Sequence, residues 1–511
     1  MSSKVAESNK RIVIVGGGTS GWMTAALMSQ VMRSSGQSIT VIEPPGPRGI
    51  GVGEASVISM VQLLKKLGAD EVEMMQRCEA TYKLGIRFCD WYEKGHDNWH
   101  PFGVCGARID GRDLFPFWLA DSKRFGTPEP YEAYSLQWAA SNAGKAPHAF
   151  HCPSPIAQTQ SYAFHFNAEA LAGWLRDIAL RNGVKEIVGA VQDAEFADSG
   201  DVTAVTLFAG ERVEGDFFVD CSGFQSVLMH KALGDPFESW NSQLLCDRAV
   251  AFKISAEGSV PPYTKSHALS AGWAWHIPLA SHLGLGYVYS SQFISDEAAW
   301  EELRQHAKLN PGAGQEPRFL KMRVGRQQSF WKQNVVAIGL SAGFLEPLES
   351  SGIHLSQVGI ELLLKNFPSG RNVDSLRDYY NQRMALIYDE VRDFVQMHYR
   401  LSRRTDSAFW IAAREAEISG DLKRRLNLYD EVGMLDNLQA EAFTETSYFH
   451  LLTGNKRLPR RAPALAASAD PHMVHSILAS IKAQNDQALS DLPPHEELLG
   501  RIHRIHLARA S

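Results

Sequence analysis

A glycine-rich turn near the start of the chain limits the fold more than any other feature of the sequence. Residues 12–15 (IVIV) form a short β-branched run, which is typical of a buried parallel strand. The glycines that follow allow a tight turn, a close approach of the backbone to phosphate, and close packing of a helix on a strand. Residues 22–31 continue as a helix, and a helix N-terminus favours phosphate. The pattern predicts an α/β, Rossmann-like fold that binds a nucleotide through Gly16, Gly18, Thr19, Ser20 and Gly21. The alternative is a tight βα turn without a ligand.

Later segments bear on which nucleotide is bound. A predicted strand at 38–42 ends in Glu43, about twenty residues beyond the glycines, where an acid that binds a ribose is expected. A further predicted strand at 213–220 runs into a glycine turn, and the segment 334–343 reads as another strand that ends in one. Glycine turns spread over the chain in this way resemble the FAD-binding fold of flavin monooxygenases, so FAD is favoured. Because the sequence has no second glycine fingerprint for a nicotinamide nucleotide, a separate flavin reductase is predicted to supply FADH2.

Composition excludes several other classes of protein. The chain has 511 residues, of which 44% are hydrophobic and 21% charged, as in ordinary globular proteins. A net charge of −6 gives no basic footprint for nucleic acid or for an anionic membrane. The six cysteines are scattered, with no Cys-x-x-Cys pair, so neither a metal site nor a disulfide framework is predicted. The start lacks the apolar core of a signal peptide and no run approaches a membrane span, which predicts a cytoplasmic protein.

Two tryptophans lie two residues apart in the segment 273–278 (WAWHIP). On a strand, such residues project from the same face, so Trp273 and Trp275 are predicted to form a rigid aromatic wall. Together with the glycine turn, this segment resembles the flavin-dependent halogenases, the family typified by tryptophan halogenases. The resemblance extends from Gly16 to about residue 498. It implies an enzyme that uses FADH2, oxygen and a halide ion, chloride or bromide, to halogenate a small aromatic substrate.

The resemblance also implies which residues act in catalysis. Lys83 takes the position of the family's essential lysine, and Glu349 that of its active-site glutamate. Ser351 and Gly352 match the halide position, where the family more often has threonine before the glycine. The resemblance implies that hypohalous acid formed at the flavin reaches Lys83, which makes the halogen electrophilic next to the substrate. Glu349 then stabilises the cationic ring and removes its proton.

Further positions match family segments that line the substrate pocket or the flavin. His100 and Phe102 match a pocket-lining piece, and the tryptophan wall is implied to keep the substrate away from the flavin, which prevents direct hydroxylation. Gly53, Glu54 and Ala55 belong to a segment, 50–56, that lies along the flavin in the family. The remaining matches to flavin contacts are Val191, on the adenine side, Leu340 and Ile353.

One departure from the family bears on the substrate. Family members that act on free tryptophan have a lid with a tyrosine pair, a glutamate and a Phe-Trp pair, which grip the ammonium and carboxylate of the amino acid. Between residues 426 and 448 this chain has a single tyrosine, Tyr429, and no Phe-Trp pair. The lid is therefore predicted to be shortened or missing. The resemblance then favours an indole-type or other electron-rich aromatic substrate over free tryptophan.

Purely structural explanations of the same residues remain open at this point. Lys83 alone is typical of a solvated lysine, Glu349 of an acid at a helix N-terminus, and the tryptophans of a plain core. Two other functions compete: an aromatic hydroxylase that uses the same flavin chemistry, and a flavoprotein without activity. For the architecture, the sequence predicts an FAD-binding domain over 1–365 with substrate segments at about 80–165 and 265–290 inserted in it. A helical region over 366–511 packs on this domain, and a homodimer is left open.

Overall fold

The computed structural model describes residues 10–46, 53–109, 111–126, 129–148, 155–255, 259–309, 316–368, 373–436, 438 and 443–509. Its first sheet has six strands and is built around the β-branched run that follows Arg11. Val15 at the end of that run pairs with Ile42 on one side and Asp220 on the other. The order across the sheet is Trp331–Lys332, Val335–Ala337, Phe217–Asp220, Arg11–Val15, Ser38–Glu43 and Lys185–Val188, of which the last five strands are parallel. The carboxyl ends of the parallel strands, including the glycine turn, therefore share one edge.

The paired tryptophans lie near the middle of a second sheet, which has seven strands and is mostly antiparallel. Its strands, in order, are Arg318–Lys321, Arg248–Ser255, His282–Tyr289, Gly272–Pro278, Thr264–Ala268, Gly85–Cys89 and Asp97–Pro101. Residues 85–101 and 264–289 thus meet in one sheet, although they are far apart in sequence. The two segments predicted to carry the substrate pocket are joined in this way.

Three small sheets complete the strands of the described residues. One of them places Lys83 at the end of a short strand, antiparallel to residues 163–166. Their strands are Glu54–Ala55, Ala163–Phe166 and Thr81–Lys83; Arg212–Glu214, Val202–Leu207 and Val191–Phe196; and Phe237–Ser239, Gly325–Gln327 and Gly343–Phe344.

Helices cover both sheets and make up the C-terminal part of the chain. After residue 344 the described residues contain helices and loops but no strand. The α-helices are Thr19–Val31, Ser59–Leu67, Glu71–Arg77, Phe115–Phe125, Leu136–Asn142, Ala168–Arg181, Asp296–His306, Ser351–Lys365, Asp374–Leu401, Ala408–Glu415, Gly420–Val432, Glu445–Gly454, Ala464–Ala467, Pro471–Asp491 and His495–Arg509. Short turns of other helix types are Tyr131–Tyr134, Ala157–Thr159, Gly223–Gln225, Val227–Ala232, Gly339–Ser341 and Pro347–Glu349. None of the helices in the described ranges has the length and apolar character that a membrane crossing requires.

The strand predicted at 213–220 differs from the structure. It consists of two strands in different sheets, Arg212–Glu214 and Phe217–Asp220. Between them, the amide of Gly215 donates to the carbonyl of Thr203, whereas that of Asp216 donates to Arg11. The chain therefore passes from one sheet to the next at this glycine.

Candidate active site

The glycine turn packs tightly on one side and is open on the other. A Cβ on Gly16 would lie 2.2 Å from the carbonyl oxygen of Cys221, and one on Gly21 would lie 1.8 Å from the oxygen of Gly16. A Cβ on Gly18, at the N-terminus of the helix Thr19–Val31, would meet nothing within 4 Å. Backbone N–H groups at such an open helix end favour phosphate. These residues fit the diphosphate of a dinucleotide.

Glu43 lies beside this turn, and Val191 begins a strand of a separate small sheet close to Glu43. The Glu43 carboxylate accepts a hydrogen bond from the Trp22 indole at 3.2 Å, and a Cβ on Gly17 would lie 2.4 Å from its side chain. The carbonyl of Glu43 accepts from the amide of Gly189 at 2.8 Å, which brings the strand Val191–Phe196 near Glu43. Residues expected at the ribose and adenine thus adjoin those expected at the phosphates.

Other predicted flavin contacts lie near the first turn of the same helix. The Ser20 hydroxyl lies 3.0 Å from that of Ser356, in the helix Ser351–Lys365. Leu340 is 40% exposed in the turn next to it, whereas Ile353 is 9% exposed. Thr19 has a different partner from Ser20: its hydroxyl donates to the carbonyl of Ala168 at 3.3 Å.

The segment predicted to lie along the flavin is described from Gly53 onwards, and residues 50–52 lie outside the described residues. Gly53 has a φ of +88°, and a Cβ there would lie 3.1 Å from Leu279 and 3.3 Å from Ile277. Glu54 and Ala55 follow as a two-residue strand, in which Glu54 is exposed and Ala55 buried. The segment therefore approaches the strand of the paired tryptophans closely.

Lys83 is fully buried rather than solvated. Its ammonium donates to the carbonyl of Ser56 at 3.1 Å and to the hydroxyl of Ser350 at 2.9 Å, and it lies 5.0 Å from the ring centroid of Phe102. Burial lowers the pKa of Lys83 to about 7, although the negative charge of Glu349 opposes the shift. An amine with this pKa can donate or accept a proton near neutral pH.

The turn after Glu349 binds the Lys83 ammonium and leads into a helix without a side-chain cap. Ser350 has a φ of +57°, a left-handed conformation that costs about 1 kcal/mol for a residue other than glycine. It is the N-cap of the helix that begins at Ser351, but its hydroxyl makes no capping bond and accepts from Lys83 instead. The first-turn N–H groups at Ser351 and Gly352 thus have no side-chain cap, which suits a small anion such as halide.

Two imidazoles hold the Glu349 carboxylate. Nδ1 of His100 lies 2.8 Å from one carboxylate oxygen, and Nε2 of His398 lies 2.8 Å from the other. Burial alone would raise the pKa of Glu349, but the two imidazoles outweigh it and lower this pKa to about 2. Glu349 is therefore an anion throughout the physiological pH range. His398 was not found from the sequence, because no local motif connects it with Glu349.

The paired tryptophans form a buried wall, as their spacing predicts. Their ring centroids are 6.3 Å apart at 61°. The Trp273 indole donates to the carboxylate of Glu346 at 2.7 Å, and this carboxylate also accepts from the Tyr399 hydroxyl. Trp275 lies against the backbone, since a Cβ on Gly286 would lie 2.0 Å from its ring. The wall is thus fixed by a hydrogen bond at one end and by close packing at the other.

More aromatic residues surround the imidazole of His100. Its ring centroid is 5.7 Å from that of Phe394 and 6.2 Å from that of Phe443, and these two phenyl rings stack 4.0 Å apart at 14°. Phe102 lies 6.1 Å from His100 on another side. Lys83 and Glu349 therefore adjoin a cluster of buried aromatic rings. Phe394 and Phe443 were not singled out by the sequence patterns.

Comparisons with known proteins agree with this arrangement. The family model described as tryptophan halogenase matches residues 11–471. The tryptophan 6-halogenase ThaL from Streptomyces albogriseolus is 33% identical over 97% of this chain and 98% of its own. The structure of BrvH, a flavin-dependent halogenase from Brevundimonas sp. BAL3, is 37% identical and has a TM-score of 0.89 over 97% of this chain and 99% of its own. A flavin-dependent halogenase from Xanthomonas campestris is 34% identical with a TM-score of 0.90, over 96% and 98% of the two chains.

The fold and these relatives define a flavin-dependent halogenase. The chain belongs to the tryptophan halogenase family. The predicted family, fold class and enzyme class are confirmed, and the competing hydroxylase has no support among the relatives. Roles of individual residues, the domain boundaries and a homodimer stay predictions.

Proposed function

We propose that this enzyme halogenates an indole-type or other electron-rich aromatic ring by means of Lys83 and Glu349. Bound FADH2, supplied by a separate reductase, provides hypohalous acid from oxygen and chloride or bromide. The observation that carries the proposal is the continuous buried contact from Lys83 through Ser350 to Glu349. An acid–base pair is thereby held in the interior, away from bulk water.

Lys83 acts on the hypohalous acid and Glu349 on the ring. The Lys83 ammonium gives a proton to the hydroxyl of the acid, which leaves as water while the halogen bonds to a ring carbon. The pair of electrons in the C–H bond at that carbon then restores the aromatic ring, and the proton passes to the Glu349 carboxylate. The pair ends as a neutral amine and a neutral acid, and a proton transfer back to Lys83 resets it. The pKa of about 2 keeps Glu349 ionised, and the pKa of about 7 leaves Lys83 as the ammonium in about half of the molecules at pH 7.

The tryptophan wall separates the flavin and halide site from the site of the aromatic substrate. Trp273 and Trp275 are held rigidly by Glu346 and Gly286, so an aromatic substrate cannot pass between them without breaking buried contacts. Ser351 and Gly352 bind the halide on the flavin side, at the helix end that has no side-chain cap. Gly16, Gly18 and Glu43 bind the nucleotide part of FAD.

Free tryptophan is a poor substrate in this proposal. Tyr429, the single tyrosine in the segment 427–447, is fully buried, and its hydroxyl donates to the carbonyl of Arg457 at 2.8 Å. It is therefore unable to grip an amino acid. Residues 437 and 439–442 of this segment lie outside the described residues. An indole without a zwitterion, or an indole in a larger molecule, fits better than free tryptophan.

Mass spectrometry of complete reactions tests the proposal. The reactions contain FAD, NADH, a flavin reductase and sodium bromide or chloride, with indole, substituted indoles, phenols and tryptophan as substrates. We expect a halogen isotope pattern on an indole, a smaller yield with tryptophan, and loss of product in Lys83→Met. Oxygenated products without halogen would contradict the proposal, and rapid turnover of free tryptophan would contradict its substrate part.

A further inference from the structure

His398 is a buried histidine in contact with the Glu349 carboxylate. Its side chain is 2% exposed and lies on the long helix Asp374–Leu401. Its ring centroid is 4.6 Å from that of Phe88, 5.8 Å from Trp91 and 5.6 Å from Phe394, so aromatic rings enclose it. The polar group next to it is the carboxylate of Glu349, at 2.8 Å. The contact with this carboxylate is the route by which His398 can act on the proposed reaction.

The chemistry of a carboxylate fixes the state of its partner. An ionised carboxylate only accepts hydrogen bonds, so Nε2 of His398, which lies 2.8 Å from Glu349, can serve it only as a donor, and a rotation of the ring is needed to aim that hydrogen at the oxygen. Burial lowers the pKa of His398, although Glu349 opposes the shift, and a neutral ring with the hydrogen on Nε2 satisfies both conditions. The ionisable groups around Glu349 come from four elements: Lys83, His100, His398 and, next to His100, His450. The Lys83 ammonium donates to Ser56 and Ser350, and the hydrogen-bonded partner of Glu349 is His100; His398 is in close contact with the other carboxylate oxygen.

We propose that His398 is a positioning residue that keeps Glu349 ionised and oriented to take the proton from the ring. The inference rests on the proposed function of Glu349. The ring carbon that gains the halogen loses its hydrogen as a proton, and a protonated Glu349 cannot accept it. Without the imidazole, one oxygen of Glu349 would face Phe88 and Phe394, and burial would favour the neutral acid.

The expected consequence is a shift in pH dependence. The pKa of Glu349 is held low in the wild type, so the carboxylate stays ionised as the pH falls. Replacing His398 by phenylalanine removes one of the two groups that oppose burial, and this pKa rises. Relative to the wild type at the same pH, activity of His398→Phe should then be lost as the pH falls through the raised pKa, and should recover at higher pH. Glutamine, whose amide nitrogen reaches to about the position of Nε2, keeps an N–H donor for Glu349.

The experiment measures kcat and KM for bromination of indole by the complete system, from pH 5.5 to 9. For His398→Phe we expect kcat to fall by at least about tenfold at pH 6, by less at pH 9, with KM within about twofold of the wild type. His398→Gln should restore kcat to within about threefold. Formation of hypohalous acid without an aromatic substrate should be unchanged in both variants. This reaction serves as the control that the flavin site is folded. His472→Phe, at an exposed histidine, is the matched control.

Several results would overturn the inference. A kcat of His398→Phe that falls equally at every pH, or a loss of hypohalous acid formation in step with product, would indicate a purely structural role. Glutamine that restores no more activity than phenylalanine would exclude the N–H donor. Failure of the proposed function is distinguishable, because the wild type would then give no halogenated indole, or Glu349→Gln would keep wild-type activity; either result overturns both claims.

Discussion

Replacing Lys83 by methionine is expected to stabilise the folded protein while abolishing halogenation. Burial lowers the pKa of the Lys83 amine from 10.5 to about 7, against the opposing charge of Glu349. Since one pKa step corresponds to about 1.4 kcal/mol, keeping this amine in the interior costs about 4–5 kcal/mol at pH 7. Methionine removes that cost but leaves the Ser56 carbonyl and the Ser350 hydroxyl without their donor, which offsets about 2 kcal/mol. The variant should therefore be about 2–3 kcal/mol more stable than the wild type.

The same pKa gives the stability difference a pH dependence. The folded-state pKa of Lys83 lies below the unfolded value, so between about pH 7 and 10.5 the unfolded chain binds more protons. Stability of the wild type therefore rises with pH in this window, a contribution that Lys83→Met lacks. The advantage of the variant should shrink by about 3 kcal/mol between pH 7 and pH 9.5.

Urea unfolding at one fixed FAD concentration measures both effects. Lys65→Met is the matched control, because Lys65 is exposed on the helix Ser59–Leu67 and its replacement should change the free energy of unfolding by less than about 0.5 kcal/mol. Equal or lower stability of Lys83→Met at pH 7, with a normal control, would refute the reasoning that a buried amine destabilises this site.

Two further substitutions test how the tryptophan wall is fixed. Glu346→Leu removes the acceptor of the Trp273 indole and should raise the ratio of oxygenated to halogenated product, whereas Glu346→Gln, which keeps an acceptor, should stay near the wild type in the same mass-spectrometric assay. Gly286→Ala places a Cβ 2.0 Å from the Trp275 ring and should lower the free energy of unfolding by about 1–3 kcal/mol. Gly173→Ala, on a helix where a Cβ meets nothing within 4 Å, should instead raise it by up to about 1 kcal/mol, and equal effects of the two alanines would contradict the packing argument.

The parts of the fold that local sequence determines were predicted. The glycine turn, the strand before it and the helix after it depend on residues within about twenty positions of one another. The paired tryptophans lie on one strand, Gly272–Pro278, because a period of two needs no information beyond the segment itself. The strand at 213–220 was wrong in its extent, since only tertiary pairing reveals that Gly215 divides it between two sheets.

The contacts that adjust the site could not be predicted from local patterns. His100 meets Glu349 across 249 residues of sequence, and Lys83 meets Ser350 across 267. A resemblance to a family places Lys83 and Glu349, but it does not give their environment. The low pKa of Glu349 depends on His100 and then on His398, and His398 is one polar residue in a long helix whose sequence pattern predicts only an amphipathic element. Burial and charge partners are properties of the folded chain.

The most direct test of the central claim compares the fate of hypohalous acid in the wild type and in Lys83→Met. A halogen-trapping dye added to the complete reaction would measure the acid that escapes, while mass spectrometry would measure halogenated indole. The account predicts that the variant forms hypohalous acid at the wild-type rate, releases nearly all of it to the dye and gives no halogenated indole. Two results would contradict the claim that Lys83 directs the halogen from hypohalous acid to the indole inside the protein. One is a wild-type yield of halogenated indole in the variant, and the other is equal release of acid by the wild type and the variant.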